Sequence, residues 1–248
     1  MKDAAVLFSG GKDSTYTIDR LSAQGYRISC LVTLFSKNRD SYMLHTASIQ
    51  LAELCSKALE IPIVIGYTNG NKEEELEDIA DVVRSARAKY EFDALGCGGI
   101  ASNYQKVRIE KIATELGLKA EAPLWGIDQG EYVQNLIESG YRFILTSVSA
   151  AGLDAGWLGK EIDQDSARAL IELSSKFRFN AALEGGEGET LVLDCPIFPR
   201  NRIRIVGSRK IWNGYQGRLE IMKAELERKP SNQVMFKSTK TDRDQIPC

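Results

Sequence analysis

Residues 8–14 read Phe8-Ser9-Gly10-Gly11-Lys12-Asp13-Ser14, between an apolar run and an amphipathic segment. The apolar run covers residues 4–8, and the amphipathic segment covers residues 14–24 and ends before Gly25. This order predicts a buried strand, a glycine turn and a helix. Glycines at such a turn allow backbone N–H groups to converge on one anion, and the positive end of the helix faces the same point. The stretch therefore predicts a phosphate-binding loop.

The side chains of this loop also suit a phosphate chain. Ser9 and Ser14 offer hydroxyl donors, and Lys12 offers a point charge. A Walker A loop ends in G-K-[ST], whereas Lys12 is followed by Asp13 here, and the Rossmann spacing G-x-G-x-x-G is also absent. The remaining pattern, S-G-G-K-D-S, resembles the pyrophosphate loop (PP-loop) of the N-type ATP pyrophosphatases. Those enzymes split ATP into AMP and pyrophosphate to activate a carboxyl or carbonyl oxygen. The alternative is a glycine turn without a ligand.

Composition limits the class of protein. The chain has 248 residues, of which 43% are hydrophobic and 27% charged, so it is expected to fold around a real core. A net charge of −2 gives no electrostatic footprint for nonspecific nucleic-acid binding. We expect neither a membrane span nor a signal peptide, since no apolar run approaches the roughly 20 residues that a span needs. The cysteines form no C-x-x-C pair, which disfavours a disulfide framework or a zinc ribbon and favours a cytoplasmic location.

The first half of the chain alternates predicted strands and helices. Further strands are predicted at residues 28–35, 61–65 and 93–97, and helices at residues 44–59 and 73–89. This alternation predicts an α/β fold with a doubly wound parallel sheet, as in the PP-loop ATPases and the wider HUP class. Ligands of such sheets bind beyond the carboxyl ends of the strands. We therefore expect residues 9–14 and 96–102 to face one pocket. Three acidic residues at 73–75 are interpreted as a solvated helix start rather than a metal site.

A second motif follows the fourth predicted strand. Its glycine turn contains Gly98 and Gly99, which permit close approach of a ligand, and Ser102 suits the cap of the next helix. The alternative is a plain strand-to-helix turn. The pattern S-Y-Q-[KR]-x-R-x-E, then L-G-L and P-L-W, resembles the diphthine–ammonia ligase family. The matching residues are Ser102, Tyr104, Gln105, Lys106, Arg108 and Glu110, with Asn103 inserted after the first.

This resemblance implies roles for several of these residues. It implies nucleotide contacts from Gly98 and Gly99, with the turn near the ribose or the α-phosphate. His45 is similar to a histidine of the family and is assigned to the nucleotide as well. As the only histidine, it cannot belong to a multi-histidine metal site. The substrate-binding residues implied by the resemblance are Ser102, Tyr104, Gln105, Arg108, Glu110 and Asp154.

An acidic, glycine-rich segment precedes an apolar run in the second half. It reads Glu184-Gly185-Gly186-Glu187-Gly188-Glu189-Thr190 and resembles the E-G-G-E-x-E-T…L-D-C-P motif of the same family, with Gly188 where an aromatic residue is common. Three carboxylates on flexible backbone suit a cationic substrate, magnesium or a general base. The alternative is a solvated acidic turn. Cys195, in the same motif, is interpreted as a packed thiol rather than a nucleophile.

Two domains and a tail are predicted. They are a nucleotide-binding domain at residues 1–125, a smaller α+β substrate-binding domain at residues 126–229, and a disordered tail at residues 230–248. The second domain is expected to contain a helix at 129–139, a strand at 141–148, a helix capped by Asp163 or Asp165, a strand at 202–212 and a closing helix at 218–229. The loop at residues 152–159 resembles a G-L-D-x-x-x-L-G segment of the family that contains Asp154; the alternative is a turn packed by Trp157 and Leu158.

The resemblance implies a reaction. The family amidates the carboxylate of diphthine, a modified histidine of translation elongation factor two, with ATP and Mg2+ as cofactors. Ser9, Gly10, Gly11, Lys12 and Ser14 would hold the phosphates, Lys12 would stabilise departing pyrophosphate, and Asp13 would place the metal. The catalytic residues facing the acceptor would be Glu184, Glu187 and Glu189. No glutaminase half is visible in the sequence, so ammonium is the expected nitrogen source. A homodimer is possible, but no residue pattern argues for it.

Three other functions stay open at this point. A tRNA-modifying thiolase shares the loop but usually carries paired cysteines or a basic extension. An amide ligase of NAD synthetase type acts on a small molecule. An ATP-binding sensor holds the nucleotide without turnover. Pyrophosphate release that depends on both ammonium and a carboxylate acceptor separates the ligases from the sensor.

Overall fold

The computed structural model describes residues 2–36, 49–69, 74–100 and 103–230. The first half of this part is a parallel sheet with helices in its connections. Its elements are β1 (Lys2–Leu7), α1 (Lys12–Ala23), β2 (Tyr26–Ser36), α2 (Ile49–Leu59), β3 (Ile63–Thr68), α3 (Glu74–Arg87), β4 (Ala94–Gly96), α4 (Asn103–Glu115) and β5 (Lys119–Glu121). The strand order is β3-β2-β1-β4-β5, and every neighbouring pair is parallel. The predicted α/β fold class is confirmed.

The order of the strands identifies the place where a ligand binds in such folds. The chain runs from β1 outward to β2 and β3, and then returns to the other side of β1 with β4, where Val6 pairs with Gly96. Parallel sheets bind ligands beyond the carboxyl ends of the strands where the order reverses. The loops after β1 and β4 leave the sheet side by side at that point.

The second half forms a smaller, antiparallel sheet. Its elements are α5 (Gln129–Glu138), β6 (Arg142–Val148), α6 (Gln164–Phe177), β7 (Gly188–Asp194), β8 (Asn201–Trp212) and β9 (Gly217–Arg228). The strand order is β7-β6-β9-β8, with β8 and β9 joined as a long hairpin. The helix over Gln129–Glu138 and the strand over Asn201–Trp212 agree with the sequence. Of the two candidate caps for α6, Asp163 is the one used: its carboxylate accepts the N–H of Ser166 at 2.8 Å.

The two sheets share one hydrophobic core. Both faces of β1 are covered, and Ala4, Ala5 and Val6 are fully buried, as expected for a central parallel strand. The cluster on the α1 side includes Ile18 and continues without a break to Phe143 of β6. This packing brings the antiparallel sheet against the helix that follows the phosphate-binding loop.

The closing helix predicted at residues 218–229 is wrong, because this segment is strand β9. Its apolar residues are spaced as on a helix face, but pairing with β8 decides the structure. Cross-strand ion pairs follow from that pairing: Arg202 contacts Glu227 at 2.5 Å, and Arg204 contacts Glu225. Opposite charges facing each other across two strands stabilise the hairpin. The sequence of residues 218–229 alone does not show these ion pairs, because their partners lie in β8.

Several expectations fall outside the described residues. These are the disordered tail beyond residue 230, His45, Ser102 as a helix cap, and the start of the helix predicted from residue 44. Among the helices within the described ranges, none is long and apolar enough to cross a membrane.

We predict that Lys229→Met lowers the free energy of unfolding by about 3 to 5 kcal/mol, because it leaves a buried carboxylate without its charge partner. Lys229 Nζ lies 2.5 Å from Asp194 Oδ1, and both side chains are only 8% exposed. The matched control is Arg209→Met, which breaks an ion pair with Glu220 in which the arginine is 67% exposed. That change is expected to cost less than about 1 kcal/mol. Equal denaturation midpoints for the two variants would contradict the prediction.

Candidate active site

A cavity of about 530 Å³ lies at the carboxyl ends of β1 and β4. Both sheets contribute to its wall: the parallel sheet through the loops after these two strands, and the antiparallel sheet through the ends of β6, β7 and β9. In β6, Ser147 pairs with Glu189 on one side and Arg218 on the other. The predicted site residues that line the cavity are Ser9, Gly11, Lys12, Asp13, Ser14, Gly98, Gly99, Glu184 and Glu189.

The loop after β1 has the geometry of an anion site. Gly10 has a φ of 81°, a conformation that favours glycine. Gly11 is the N-cap of α1, and Ser9 Oγ and Ser14 Oγ lie 3.2 Å apart across the turn. The first N–H groups of a helix need partners from outside the helix, and a phosphate can supply them.

Two hydrogen bonds to strand β7 of the antiparallel sheet hold the loop after β1 in place. The N–H of Val192 donates to the carbonyl of Gly10 at 3.0 Å. The N–H of Lys12 donates to Thr190 Oγ1 at 3.1 Å. Because Thr190 is the last residue of the acidic segment and lies in β7, this strand positions the segment against the loop. The sequence contains Thr190 in the motif but gives no sign of this contact.

Asp13, whose side chain is 25% exposed, is the centre of a small polar cluster in the loop. Lys12 Nζ, on a residue only 2% exposed, contacts Asp13 Oδ2 at 2.8 Å. The Tyr132 hydroxyl donates to Asp13 Oδ1 at 2.7 Å. Burial, reinforced by the charge of Asp13, raises the pKa of Tyr132 well above its ordinary value. Tyr132 therefore stays a neutral hydrogen-bond donor that fixes the carboxylate. Sequence reasoning missed it, since its only signal is one aromatic residue on an amphipathic helix.

The loop after β4 approaches the phosphate loop closely. A Cβ on Gly98 would lie 2.9 Å from the carbonyl carbon of Asp13, so only glycine fits there without movement. The N–H of Ile100 donates to both carboxylate oxygens of Glu184, at 2.8 and 3.0 Å. Glu184 thus joins the acidic segment to the glycine loop.

The three predicted catalytic glutamates are arranged differently. Glu184 and Glu189 line the cavity. Glu187 is absent from the described residues of that lining. Its carboxylate accepts the N–H groups of Asn180 at 3.0 Å and Gly185 at 2.6 Å. This arrangement indicates that Glu187 shapes the loop that carries the other two.

The predicted substrate-binding residues are only partly brought together. Glu110 lines a side pocket of about 300 Å³ next to the main cavity, with Lys106 and Trp125. Asp154 is exposed and accepts the N–H of Gly156 at 2.8 Å, as a turn residue does. Neither Asp154 nor Arg108 is among the described lining residues of the two cavities. The remaining three of this set, Ser102 and the side chains of Tyr104 and Gln105, lie outside the described part.

The donor set fits a magnesium ion that arrives with a phosphate chain. Mg²⁺ is typically held by one or two carboxylates together with substrate phosphates. Asp13 supplies one carboxylate at the phosphate loop. In the ranges described, no group of three metal-ligating side chains forms a site of its own.

Two of the cysteines in the described part of the chain, Cys55 and Cys195, are packed in the interior. Cys195 is 2% exposed, and burial raises the pKa of its thiol. Cys55, packed under Gly10, has a pKa raised to about 12 by burial. Both thiols therefore stay protonated, and the interpretation of Cys195 as a packed thiol is confirmed.

Tyr132→Phe is expected to lower kcat/KM for ATP by about tenfold or more, because a hydrogen bond to a charged group contributes about 1.5 to 3 kcal/mol. The ring and its packing remain. The matched control is Tyr141→Phe: this tyrosine is also buried, and its hydroxyl donates to Asp19 at 3.2 Å. Steady-state kinetics of both variants test the prediction, and equal losses would contradict it.

Comparison with known proteins gives consistent matches over both halves. Residues 1–120 match the family described as the diphthamide synthase N-terminal domain, and residues 128–226 match the diphthamide synthase C-terminal domain. Diphthine–ammonia ligase of Bos taurus is 34% identical over 218 residues, covering 80% of this chain and 81% of the relative. The Homo sapiens protein of the same name is 33% identical with the same coverage.

Two further matches differ in length or in sequence. Diphthine–ammonia ligase of Saccharomyces cerevisiae is 28% identical and covers 97% of this chain but 39% of its own length. A solved structure described as a predicted subunit of tRNA methyltransferase, from Methanocaldococcus jannaschii, is 20% identical. It covers 79% of this chain and 98% of that chain with a TM-score of 0.42.

Proposed function

Since this chain belongs to the diphthine–ammonia ligase family, we propose that it is an ATP-dependent ligase that converts the carboxylate of diphthine into an amide. The observation that carries the proposal is that the S-G-G-K-D-S loop and the acidic segment line the same cavity. A phosphate-binding loop beside carboxylates suits a reaction in which ATP activates an acceptor that carries a positive charge. The acceptor is diphthine on translation elongation factor two, and the nitrogen comes from ammonium.

The first step is adenylation of the acceptor. One oxygen of the diphthine carboxylate attacks the α-phosphorus of ATP, and the bond to the bridging oxygen breaks to release pyrophosphate. Lys12 and the N–H groups at the start of α1 lie beside the phosphate loop, where negative charge grows on the leaving group. Donors already oriented toward that charge stabilise the transition state, because they need no reorganisation.

The second step is attack by ammonia on the acyl carbon. The bond between that carbon and the oxygen bound to phosphorus breaks, and AMP leaves with the oxygen. Ammonium gives up one proton to become the attacking ammonia, and the second proton leaves after attack; the carboxylates that line the same cavity and can take them are Glu184 and Glu189.

Asp13 would hold magnesium together with the phosphates. When bound, the ion neutralises charge on the phosphate oxygens. The contribution of the chain itself is to keep the Asp13 carboxylate oriented through Lys12 and Tyr132.

The proposal is tested with purified protein, ATP, ammonium and elongation factor two that carries diphthine. Mass spectrometry of the factor follows the small mass decrease that accompanies conversion of the acid to the amide, while chromatography identifies the nucleotide product. We expect amide, AMP and pyrophosphate together, and none of them with a factor that lacks diphthine. Binding of ATP without any product would instead support the sensor. Formation of ADP would contradict the adenylation step.

A further inference from the structure

The ammonium group of Lys106 lies over the face of the Trp125 indole ring. Lys106 Nζ lies 4.4 Å from the centre of this ring. Both residues line the main cavity and also the side pocket of about 300 Å³ beside it. Tryptophan has the most favourable aromatic face for a cation within about 6 Å of the ring centre. The structure therefore contains a cation-binding surface at the edge of the reaction cavity.

Backbone hydrogen bonds hold the turn that carries Trp125. The N–H of Trp125 donates to the carbonyl of Ala122 at 3.1 Å, and the N–H of the next residue, Gly126, donates to Ile100 at 3.0 Å. Ile100 is itself held by Glu184. The ring is thus carried by a turn that is tied to the glycine loop after β4.

The wall around the ring is acidic. Glu110 Oε1 lies 3.9 Å from Lys106 Nζ. Cys97 lines both cavities, and the pKa of its thiol is raised mainly by burial and further by the charges of Glu110 and Glu184, while the charge of Lys106 acts in the opposite direction. Two carboxylates therefore act on the same space, which favours a cation there.

We propose that the face of Trp125 binds the quaternary ammonium group of the acceptor, and that the Lys106 ammonium occupies this face until the acceptor displaces it. The proposal rests on the proposed function, because the trimethylammonium group belongs to diphthine. Such a group has no N–H to donate, so an aromatic face and nearby carboxylates are the contacts left to it. When displaced, Lys106 keeps Glu110 as a partner.

The position of the ring agrees with the chemistry of the acceptor. In diphthine the ammonium group and the reacting carboxylate are carried by the same carbon. A site for the ammonium must therefore border the cavity in which the carboxylate meets ATP. Trp125 meets this requirement, since it lines both the side pocket and the cavity that contains Lys12 and Asp13.

The direct test uses choline and its uncharged isostere 3,3-dimethylbutan-1-ol as probes, with calorimetry at constant ionic strength. The two compounds have the same shape and differ in charge. We expect wild-type protein to bind choline more tightly than the isostere. Trp125→Leu is expected to weaken choline binding by about tenfold or more, and Trp125→Phe by less, in the order of their cation–π strength. Equal binding of the two probes by wild-type protein overturns the proposal without any variant.

A second variant, Lys106→Met, is expected to change the affinity for choline in the opposite direction. It removes the internal competitor and leaves the acidic wall, so choline is expected to bind more tightly than in wild-type protein. Weaker binding of choline to this variant overturns the displacement part of the proposal.

Kinetics separate this proposal from the proposed function. If wild-type protein forms the amide, Trp125→Leu should raise the KM for the factor and leave the KM for ATP unchanged. A raised KM for ATP alone would assign the ring to the nucleotide and overturn the proposal. If wild-type protein forms no amide, the proposed function fails, whereas the choline measurements still report whether the cation surface exists.

Discussion

Asp13→Asn is expected to reduce pyrophosphate release by about 100-fold or more, the size of effect typical for loss of one preorganised electrostatic contact in a reaction centre. The amide keeps the shape of the side chain, and its single oxygen, at the position of Oδ1, can still accept from Tyr132 and Lys12, whereas the contact of Lys12 with Oδ2 is lost. It removes the negative charge that would hold magnesium beside the phosphates. The fold should remain intact, and ATP should still bind to the loop.

The matched control for this variant is Asp19→Asn, on the same helix. Asp19 accepts from Tyr141 and is not among the described residues that line the cavity. Its variant should turn over ATP as wild-type protein does. Pyrophosphate release, ATP binding and the melting temperature are measured for both proteins. Normal turnover by Asp13→Asn would remove this residue from the reaction, and a lost fold would show up as a lower melting temperature.

Gly98→Ala is expected to lower kcat/KM for ATP by about 10- to 100-fold, because overpacking of this kind costs about 1 to 3 kcal/mol. The added Cβ would lie 2.9 Å from the carbonyl carbon of Asp13 and 3.0 Å from the nitrogen of Ser14. Both are backbone atoms at the start of α1, so the phosphate loop and the glycine loop must move apart. The factor by which the variant raises the KM for ATP should exceed the factor by which it lowers the equilibrium constant for folding.

Gly207→Ala is the control for this second variant. Gly207 lies in β8, and a Cβ there would meet only Met222 at 3.9 Å, an ordinary contact. Its kinetics should equal those of wild-type protein. If Gly98→Ala also leaves the KM for ATP unchanged, the two loops do not hold the nucleotide together.

The sequence predicts the parallel sheet and its ligand loop well, for a local reason. Residues 4–14 contain the strand, the glycines and the helix start in one continuous segment, and burial of β1 follows from its apolar run. The meeting of this loop with Gly98 follows from a general rule of parallel sheets. Local pattern and fold agree here, so sequence reasoning succeeds.

The contacts that complete the site could not be predicted in the same way. Tyr132 reaches Asp13 from a position 119 residues away, and nothing in its neighbours marks it out. The role of Glu187 depends on which backbone N–H groups its loop brings near. The segment of β9 has helix-like spacing, and only its pairing with β8 shows that it is a strand. In each case the deciding interaction joins distant parts of the chain.

The account depends most directly on the claim that the acceptor carboxylate attacks the α-phosphorus of ATP. The measurement that tests it uses diphthine whose carboxylate carries a heavy-oxygen label, with mass spectrometry of the released nucleotide. The account predicts that AMP carries one labelled oxygen, because the bond broken in the amidation step lies between the acyl carbon and that oxygen. Unlabelled AMP, or label found in inorganic phosphate, would contradict it.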